Sequence, residues 1–240
     1  MIRFLPMIVG LGTVLTCHAS TMTYQQQSSN SSASATFTLL GNGNLQVTLA
    51  NTSIGAASSA SDVLTAFFFS VSPGVTLTPV SVLLGNGSSI LNCLTCSGAT
   101  NLGGEWGYAA NVQGFANQAV HLVGAASHGV LDVSNLFGGP NLAGTNGPGG
   151  IDFGLVSYST TPGAAAFTGS PLVHNQVIMT FGTQAPFNLS AIGTVGFLYG
   201  YGGDGSSSYS ASFDTPEPAS CLLIGAGLLG LYMRRRRVLP

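Results

Sequence analysis

The sequence predicts an all-β protein whose body is an antiparallel β-sandwich or a jelly-roll-like fold. The first observation is an alternation of apolar and polar side chains at Ala35–Leu39 and again at Leu45–Leu49. A period of two residues is typical of a strand with one buried face. The second observation is the turn signal Gly41–Asn44 between these runs, with further glycine-, proline- and asparagine-rich turns along the chain. Short alternating runs joined by such turns predict hairpins, and several of them predict a sandwich.

The first element along the chain is an apolar stretch, Phe4–Leu15, which follows the positive charge of Arg3 and leads into small residues up to Ala19. This order of parts predicts a secretory signal peptide over residues 1–19. The stretch is shorter than the roughly 20 residues that a membrane span needs. Two alternatives stay open at this end: a lipoprotein signal in which Cys17 is acylated, and an N-terminal helix buried in the fold.

The body is assigned to residues 20–214, where apolar runs between turn signals predict strands. Residues 21–34 are either a loose leader or a first edge strand, and Glu105–Ala110 opens either a helix or a strand. The segment 138–150, rich in glycine and proline, is predicted to be a loop. The further predicted strands are Val63–Val71, Val75–Leu84, Gln118–Val123, Ile151–Ser157, Val173–Phe181, Thr194–Tyr201 and Ser207–Phe213.

The position of the charges excludes whole classes of function. Charged residues make up 5% of the chain, against about 25% in a typical soluble domain. The chain has no lysine, and its basic residues are Arg3 and the run Arg234–Arg237. The body therefore has no cation to neutralise phosphates, so nucleic-acid binding is excluded and phosphoryl transfer loses its usual clamp.

Cys93 and Cys96 form a C-x-x-C pair in the body, while the other two cysteines lie in the terminal segments. In an exported protein, this pair predicts a disulfide that closes a small loop. Two alternatives stay open: free or redox-active thiols, and a zinc site that would recruit His121 and His128. The βαβ context of thioredoxin-like redox pairs is missing.

The histidines His121, His128 and His174 are scattered in apolar or glycine-rich contexts, and we expect them to be structural or exposed. A Ser-His-Asp triad stays open because triads are recognised by geometry, although the chain has no G-x-S-x-G nucleophile elbow. The inner carboxylates of the body are Asp62, Glu105, Asp132, Asp152 and Asp204.

Two of these carboxylates have suggestive neighbours. Asp204 lies among glycines and serine and is the best candidate for a calcium loop, with a solvated turn as the alternative. Glu105 stands beside Trp106, and this pair has the residue types of a sugar-binding site. A single tryptophan is more often a core residue, so both interpretations of Trp106 stay open.

The last element is an apolar run, Ala219–Met233, between Pro216-Glu217-Pro218 and the arginines of Arg234–Arg237. It predicts a transmembrane helix, because the arginines extend the run by snorkelling to the interface and hold the tail in the cytoplasm. A buried core helix with a basic tip is the alternative. The formal G-x-G-x-x-G at Gly225–Gly230 lacks the strand, the βαβ unit and the later acidic residue of a dinucleotide site. No cofactor is expected.

The tail over residues 215–240 resembles the PEP-CTERM sorting signal of exported bacterial proteins, since the Pro-Glu-Pro, the apolar run and the arginine cluster stand in its order. The resemblance implies processing by exosortase, a multi-spanning membrane protease, in a Gram-negative bacterium that makes exopolysaccharide or biofilm matrix. The chain departs from the pattern in Cys221 and in the three residues after the arginines. The implied recognition residues are Pro216, Glu217 and Pro218, and the implied membrane-anchor charges are Arg234, Arg235, Arg236 and Arg237.

These observations predict a non-enzymatic protein of the cell surface or extracellular matrix, structural or adhesive in biofilm or exopolysaccharide. Its precursor would be anchored in the inner membrane by the C-terminal helix, with exosortase, the membrane and extracellular polysaccharide as partners. One alternative is a carbohydrate-binding module with a concave aromatic face. The residues of that face would be Trp106, Tyr108, Tyr199 and Tyr201. A further alternative is an exported hydrolase, which needs a carboxylate pair such as Glu105 and Asp152, or a triad.

Overall fold

The computed structural model describes residues 21–28, 31–96, 98–115, 118–125, 151–163, 167, 169–184, 186–200 and 208–212. All of them fall in the compact unit Ser20–Pro216. The predicted signal peptide, the predicted loop at 138–150 and the predicted transmembrane helix lie outside the described residues.

Within these ranges the chain forms strands and a few single turns of 3-10 helix, so the all-β prediction is confirmed for the body. The strands are β1 (Thr21–Gln27), β2 (Ser32–Leu39), β3 (Leu45–Asn51), β4 (Leu64–Val71), β5 (Leu77–Leu84), β6 (Ser89–Leu91), β7 (Trp106–Phe115), β8 (Gln118–Ala125), β9 (Leu155–Val156), β10 (Leu172–His174), β11 (Gln176–Thr183), β12 (Ile192–Tyr199) and β13 (Ser208–Ser212).

The first sheet is antiparallel and has the order β1-β2-β3-β11-β5. The predicted hairpin is its β2–β3 pair, in which Phe37 lies opposite Val47 and both are fully buried. Gly43 has a φ of 85° in the connecting turn, a conformation that glycine adopts without strain. The other face carries threonines, and Thr23 Oγ1 lies 3.0 Å from Thr36 Oγ1 across β1 and β2. This alternation sets the register, as the sequence predicted.

The second sheet is built around β4 and has the order β13-β12-β4-β9-β10-β6, with β8 also paired to β4 and β7 paired to β8. One pair in it, β9 with β10, is parallel and aligns Val173 with Leu155. The prediction of a wholly antiparallel body is therefore wrong at this pair. The parallel arrangement follows from the chain path, because the long connection between the two strands allows them to run in the same direction.

The two sheets pack face to face through aromatic side chains. Phe37 of the first sheet meets Phe69 of the second with ring centroids 5.3 Å apart, and Phe69 also meets Phe181 at 6.4 Å. A buried cluster continues along both sheets and includes Trp106 and Tyr199. Burial of this apolar surface is the main source of stability in such a sandwich. The neighbouring side chain Phe68 belongs to a second buried cluster on the other face of β4.

Some observed strands differ in extent from the predicted ones. Residues 21–27 form an edge strand and Trp106–Phe115 is a strand, which resolves two open alternatives. The predicted strand Ile151–Ser157 is reduced to the two residues of β9 behind a turn. The predicted strand Val173–Phe181 is divided at Asn175, so that β10 lies in the second sheet and β11 in the first.

Candidate functional site

The predicted sorting residues Pro216, Glu217 and Pro218 and the arginines at 234–237 lie outside the described residues, as do His128, Asp132 and Asp204. In the described part of the chain, no helix has the length and apolar character that crossing a membrane requires. The same part contains no group of three or more histidine, cysteine, aspartate or glutamate side chains placed to hold a metal ion.

Cys93 and Cys96 are joined by a disulfide in the structure, with their Cα atoms 5.3 Å apart. The bond closes a single 3-10 turn after β6, in which the Cys96 amide lies 3.4 Å from the Cys93 carbonyl oxygen. Cys96 is 5% exposed and packs in the core between the sheets. In this form, neither sulfur is a thiolate that could attack a substrate or bind a metal.

The predicted concave aromatic face is wrong for the residues that the structure describes. Trp106 is fully buried and Tyr199 is 1% exposed, because both side chains belong to the core between the sheets. Glu105 is 3% exposed, so the predicted sugar site at Glu105 and Trp106 is also closed to a polymer. Of the two remaining members of the predicted face, Tyr108 is half-buried and packs against the core, and Tyr201 lies outside the described residues.

Tyr108 and His121 form a hydrogen-bonded pair inside the body. The Tyr108 hydroxyl lies 2.5 Å from His121 Nδ1, and the imidazole stacks on Phe69 with centroids 5.4 Å apart. Burial raises the pKa of Tyr108 to about 12 and lowers the pKa of His121. Both side chains are therefore neutral at pH 7, and these contacts are those of a structural histidine.

The two carboxylates of the hydrolase alternative occupy different turns. Glu105 closes the turn before β7, where its amide donates to the Leu102 carbonyl oxygen. Asp152 lies in the turn before β9; burial raises its pKa, and a hydrogen bond from the Ser170 side chain opposes that rise. Leu102 packs in the core between the sheets, whereas Ile151, next to Asp152, belongs to a separate cluster. The hydrolase alternative gains no support from this placement.

A polar cleft of about 350 Å³ lies where the β1–β2 connection meets the loop after β3 and the residue after β9. Its charged lining residue is Asp62, at the end of a 3-10 turn before β4. The remaining lining residues are polar or small except for Ile54, and none of them is basic. Five serines contribute to the lining: Ser28, Ser32, Ser53, Ser58 and Ser157.

One oxygen of the Asp62 carboxylate is saturated by its own turn. Oδ2 accepts hydrogen bonds from the amides of Ser58 and Ser59 at 2.8 and 3.0 Å, and from their hydroxyls at 3.0 and 3.1 Å. Burial alone would raise the pKa of Asp62, but these four donors outweigh it and hold the pKa below its ordinary value. Oδ1 accepts no hydrogen bond from the described residues. The cleft therefore has an ionised carboxylate with one oxygen that the described residues leave open to accept.

Asn51, at the end of β3, ties the walls of the cleft together. Its amide nitrogen donates to the carbonyl oxygens of Asp62 at 3.1 Å and Leu155 at 3.0 Å, while its Oδ1 accepts from the Ser53 amide at 3.1 Å. The side chain is 2% exposed. Sequence reasoning missed Asn51, because one asparagine at the end of a strand does not differ in sequence from the many asparagines in turns.

Tyr158 is an exposed aromatic side chain one residue beyond the cleft-lining Ser157. It is 72% exposed, and it stacks on His174 with ring centroids 5.1 Å apart. His174 Nε2 also lies 2.7 Å from the Tyr158 carbonyl oxygen. The ring stacking and this contact together fix the two residues relative to each other. Sequence reasoning missed this pair; the available signal was the position of Tyr158 in a run of small polar residues after a strand.

Comparison with known proteins identifies the C-terminal tail. Residues 214–237 match the sequence family described as the PEP-CTERM protein-sorting motif. A protein that carries this signal is an exported protein processed by exosortase, a membrane protein. The chain is thus an exported protein with a PEP-CTERM sorting signal, as the resemblance of its tail implied. No curated protein and no solved structure matches the chain.

Proposed function

We propose that this protein is a non-enzymatic component of the cell surface or extracellular matrix of a Gram-negative bacterium, structural or adhesive in biofilm or exopolysaccharide. The observation that carries the proposal is the sorting motif at residues 214–237. In this account residues 1–19 are the signal peptide, and Ala219–Met233 anchors the precursor in the inner membrane until exosortase acts near Pro216-Glu217-Pro218.

The surface of the body supports this proposal. The chain has no lysine or arginine between Phe4 and Met233, and the outer face of β1 and β2 carries threonine and serine hydroxyls. Hydroxyl-bearing side chains hydrogen-bond to water and to polysaccharide hydroxyls without requiring a counter-ion. Such a surface suits a hydrated, crowded matrix.

The test is the dependence of delivery on the Pro-Glu-Pro. A variant with Pro216→Ala, Glu217→Gln and Pro218→Ala is expected to stay in the inner-membrane fraction, whereas the unaltered chain reaches the surface. Pro73→Ala, in an exposed turn of the body, is the matched control and should reach the surface. Normal delivery of the triple variant would contradict the proposal.

Carbohydrate binding is the second candidate function of the body. The exposed Tyr158 ring favours it, because an aromatic ring presents an apolar surface that can pack on the apolar face of a sugar ring. This function is compatible with the first, since a matrix protein must contact the matrix polymer.

A further inference from the structure

We propose that the serine-lined cleft beside Asp62 is a binding site for an uncharged, hydroxyl-rich polysaccharide built from hexoses, and that Tyr158, next in the chain to the cleft-lining Ser157, adds a contact to the polymer. The inference rests on the proposed function in one respect only, namely that the body meets polysaccharide outside the cell. The polarity of the cleft, its exposed apolar side chain and its charge point to the ligand.

The interior of the cleft matches the edge of a sugar ring. The Ser58 and Ser157 hydroxyls already donate within the fold, to Asp62 and to the Gly55 carbonyl oxygen, so their oxygens offer acceptor capacity to a ligand. Asp62 Oδ1 is a further acceptor that the described residues leave open. A sugar hydroxyl can therefore donate to the carboxylate oxygen or to a serine oxygen. Hydrogen bonds to an ionised carboxylate are stronger than neutral ones. The carboxylate is also fixed in direction, because Oδ2 is held by four donors.

Exposed apolar side chains in the cleft and beside it in the chain match the apolar face of a sugar ring. Tyr158 is 72% exposed and Ile54, which lines the cleft, is 87% exposed. The two are linked through Ser159, whose hydroxyl donates to the Ile54 carbonyl oxygen at 2.8 Å. An exposed apolar side chain in a polar cleft suits an amphipathic ring, whose hydroxyls face the polar walls while its carbon–hydrogen bonds pack on Ile54.

The walls of the cleft are already held in place. The Ser157 hydroxyl donates to the Gly55 carbonyl oxygen at 2.6 Å, and the Ala57 amide donates to Thr160 Oγ1 at 2.9 Å. Asn51 fixes the opposite side through Asp62 and Ser53. A site that is ordered before binding loses less conformational entropy when the ligand arrives. This preorganisation lets a small cleft bind a flexible polymer.

The charge of the site selects the ligand. A polysaccharide rich in uronic acids or sulfate would place an anion near the Asp62 carboxylate, and the body has no lysine or arginine to offset the repulsion. An uncharged hexose polymer meets no such penalty. The site therefore discriminates against acidic polymers through repulsion as well as favouring neutral ones through hydrogen bonds.

The test is calorimetric titration of the mature exported protein with cellohexaose, maltohexaose and mannohexaose, and with hexagalacturonate as the acidic probe. We expect binding to at least one neutral hexaose and none to hexagalacturonate. Gly55→Trp should fill the cleft and abolish binding; a Cβ at Gly55 meets no atom within 4 Å and its φ is ordinary, so the backbone tolerates the change. Tyr158→Ala should weaken binding about threefold to tenfold.

Two matched variants serve as controls. Gly41→Trp places the same side chain at another unobstructed glycine, in the β2–β3 turn, and Leu94→Ala truncates a side chain that is 99% exposed elsewhere. Both should bind as the unaltered protein does. The absence of binding to all three neutral hexaoses would overturn the proposal, as would equal binding by Gly55→Trp or tighter binding of hexagalacturonate.

Failure of this proposal is distinguishable from failure of the proposed function. Export and processing depend on the two ends of the chain, so Gly55→Trp should reach the same cell fraction as the unaltered protein. A correctly delivered protein that binds no hexaose would remove the glycan site and leave the surface role intact. A protein that stays in the inner membrane but binds hexaoses normally would overturn the proposed surface role and leave the glycan site intact.

Discussion

At the scale of single residues, the end of the body that holds the cleft depends on Asn51. Its side chain satisfies two carbonyl oxygens and one amide from three separate segments. A buried polar group that loses its partner costs about 1–3 kcal/mol. Asn51 therefore contributes to stability mainly because its removal would leave buried partner groups unpaired.

Asn51→Ala is expected to lower the free energy of unfolding by about 2–4 kcal/mol, because it leaves the carbonyl oxygens of Asp62 and Leu155 without that donor. Chemical denaturation measures the loss. Asn42→Ala in the exposed β2–β3 turn, where the side chain accepts one hydrogen bond from the Asn44 amide, should cost far less. Equal losses in the two variants would show that Asn51 has no special structural role.

His121 makes stability depend on pH. In the unfolded chain its imidazole titrates near its ordinary pKa of 6.5, while burial lowers the pKa in the folded protein. Protons therefore bind the unfolded state first as the pH falls below about 6.5, and stability declines by up to about 1.4 kcal/mol per pH unit until the folded pKa is reached. Tyr108, the titratable partner of His121, stays neutral throughout, since its pKa is about 12.

The measurement is the denaturation midpoint between pH 7.5 and pH 5 for the unaltered protein and for His121→Gln, which keeps a polar side chain but does not titrate. Groups common to both proteins cancel in the comparison. We expect the variant to lose less stability over this range than the unaltered protein does. Identical pH profiles would mean that His121 protonates as easily in the fold as outside it.

At the scale of elements, the crossing from one sheet to the other depends on Asn175. Its φ is 80°, its amide donates to the Val156 carbonyl oxygen at 2.9 Å, and its carbonyl oxygen accepts from the Asn51 amide at 3.1 Å. Asparagine and glycine adopt this left-handed conformation more readily than other residues. The bend lets β10 end in the second sheet and β11 begin in the first.

Asn175→Val is expected to destabilise the body by about 1–2 kcal/mol or more, because a β-branched residue is strained at this φ. Asn175→Gly should cost less, since glycine lacks the Cβ that causes the strain. Thermal unfolding of the two variants gives the comparison. If the valine variant proves as stable as the glycine variant, the positive φ does not control this crossing.

At this scale, some features of the fold could be predicted from the sequence and others could not. The β2–β3 hairpin was predictable, because its side chains alternate strictly and its turn contains glycine and asparagine. The division at Asn175 was not predictable, because the sequence of Val173–Phe181 predicts a single strand and one asparagine does not indicate a change of sheet. The exposure of Tyr158 was likewise not predictable, because it depends on contacts with His174, 16 residues further along the chain.

The edge of the first sheet is protected without lysine. The edge strand β5 contains Pro79, which has no amide hydrogen to offer a further strand, and its pairing with β11 is irregular between Thr180 and Phe181. Proline and irregular pairing are devices by which natural sheets discourage edge-to-edge association. They compensate in part for the missing positive charges.

At the scale of the whole molecule, the chain consists of a folded body and a C-terminal sorting signal. The sorting signal could be predicted from the sequence because it is a linear pattern, and its match covers residues 214–237. The cleft was not readable, because its walls come from residues as distant as Gln27 and Ser157. The spacing of residues within any one of these segments does not indicate that the segments lie together in the fold.

The most direct test of the central claim, that exosortase delivers this body to the surface, is the intact mass of the protein recovered from the cell surface or medium. The account predicts a product that begins near Ser20 and ends near Pro216-Glu217-Pro218, without the arginines of Arg234–Arg237. A surface product that retains the apolar run and the arginines would contradict it, and the chain would then be an ordinary membrane-anchored envelope protein.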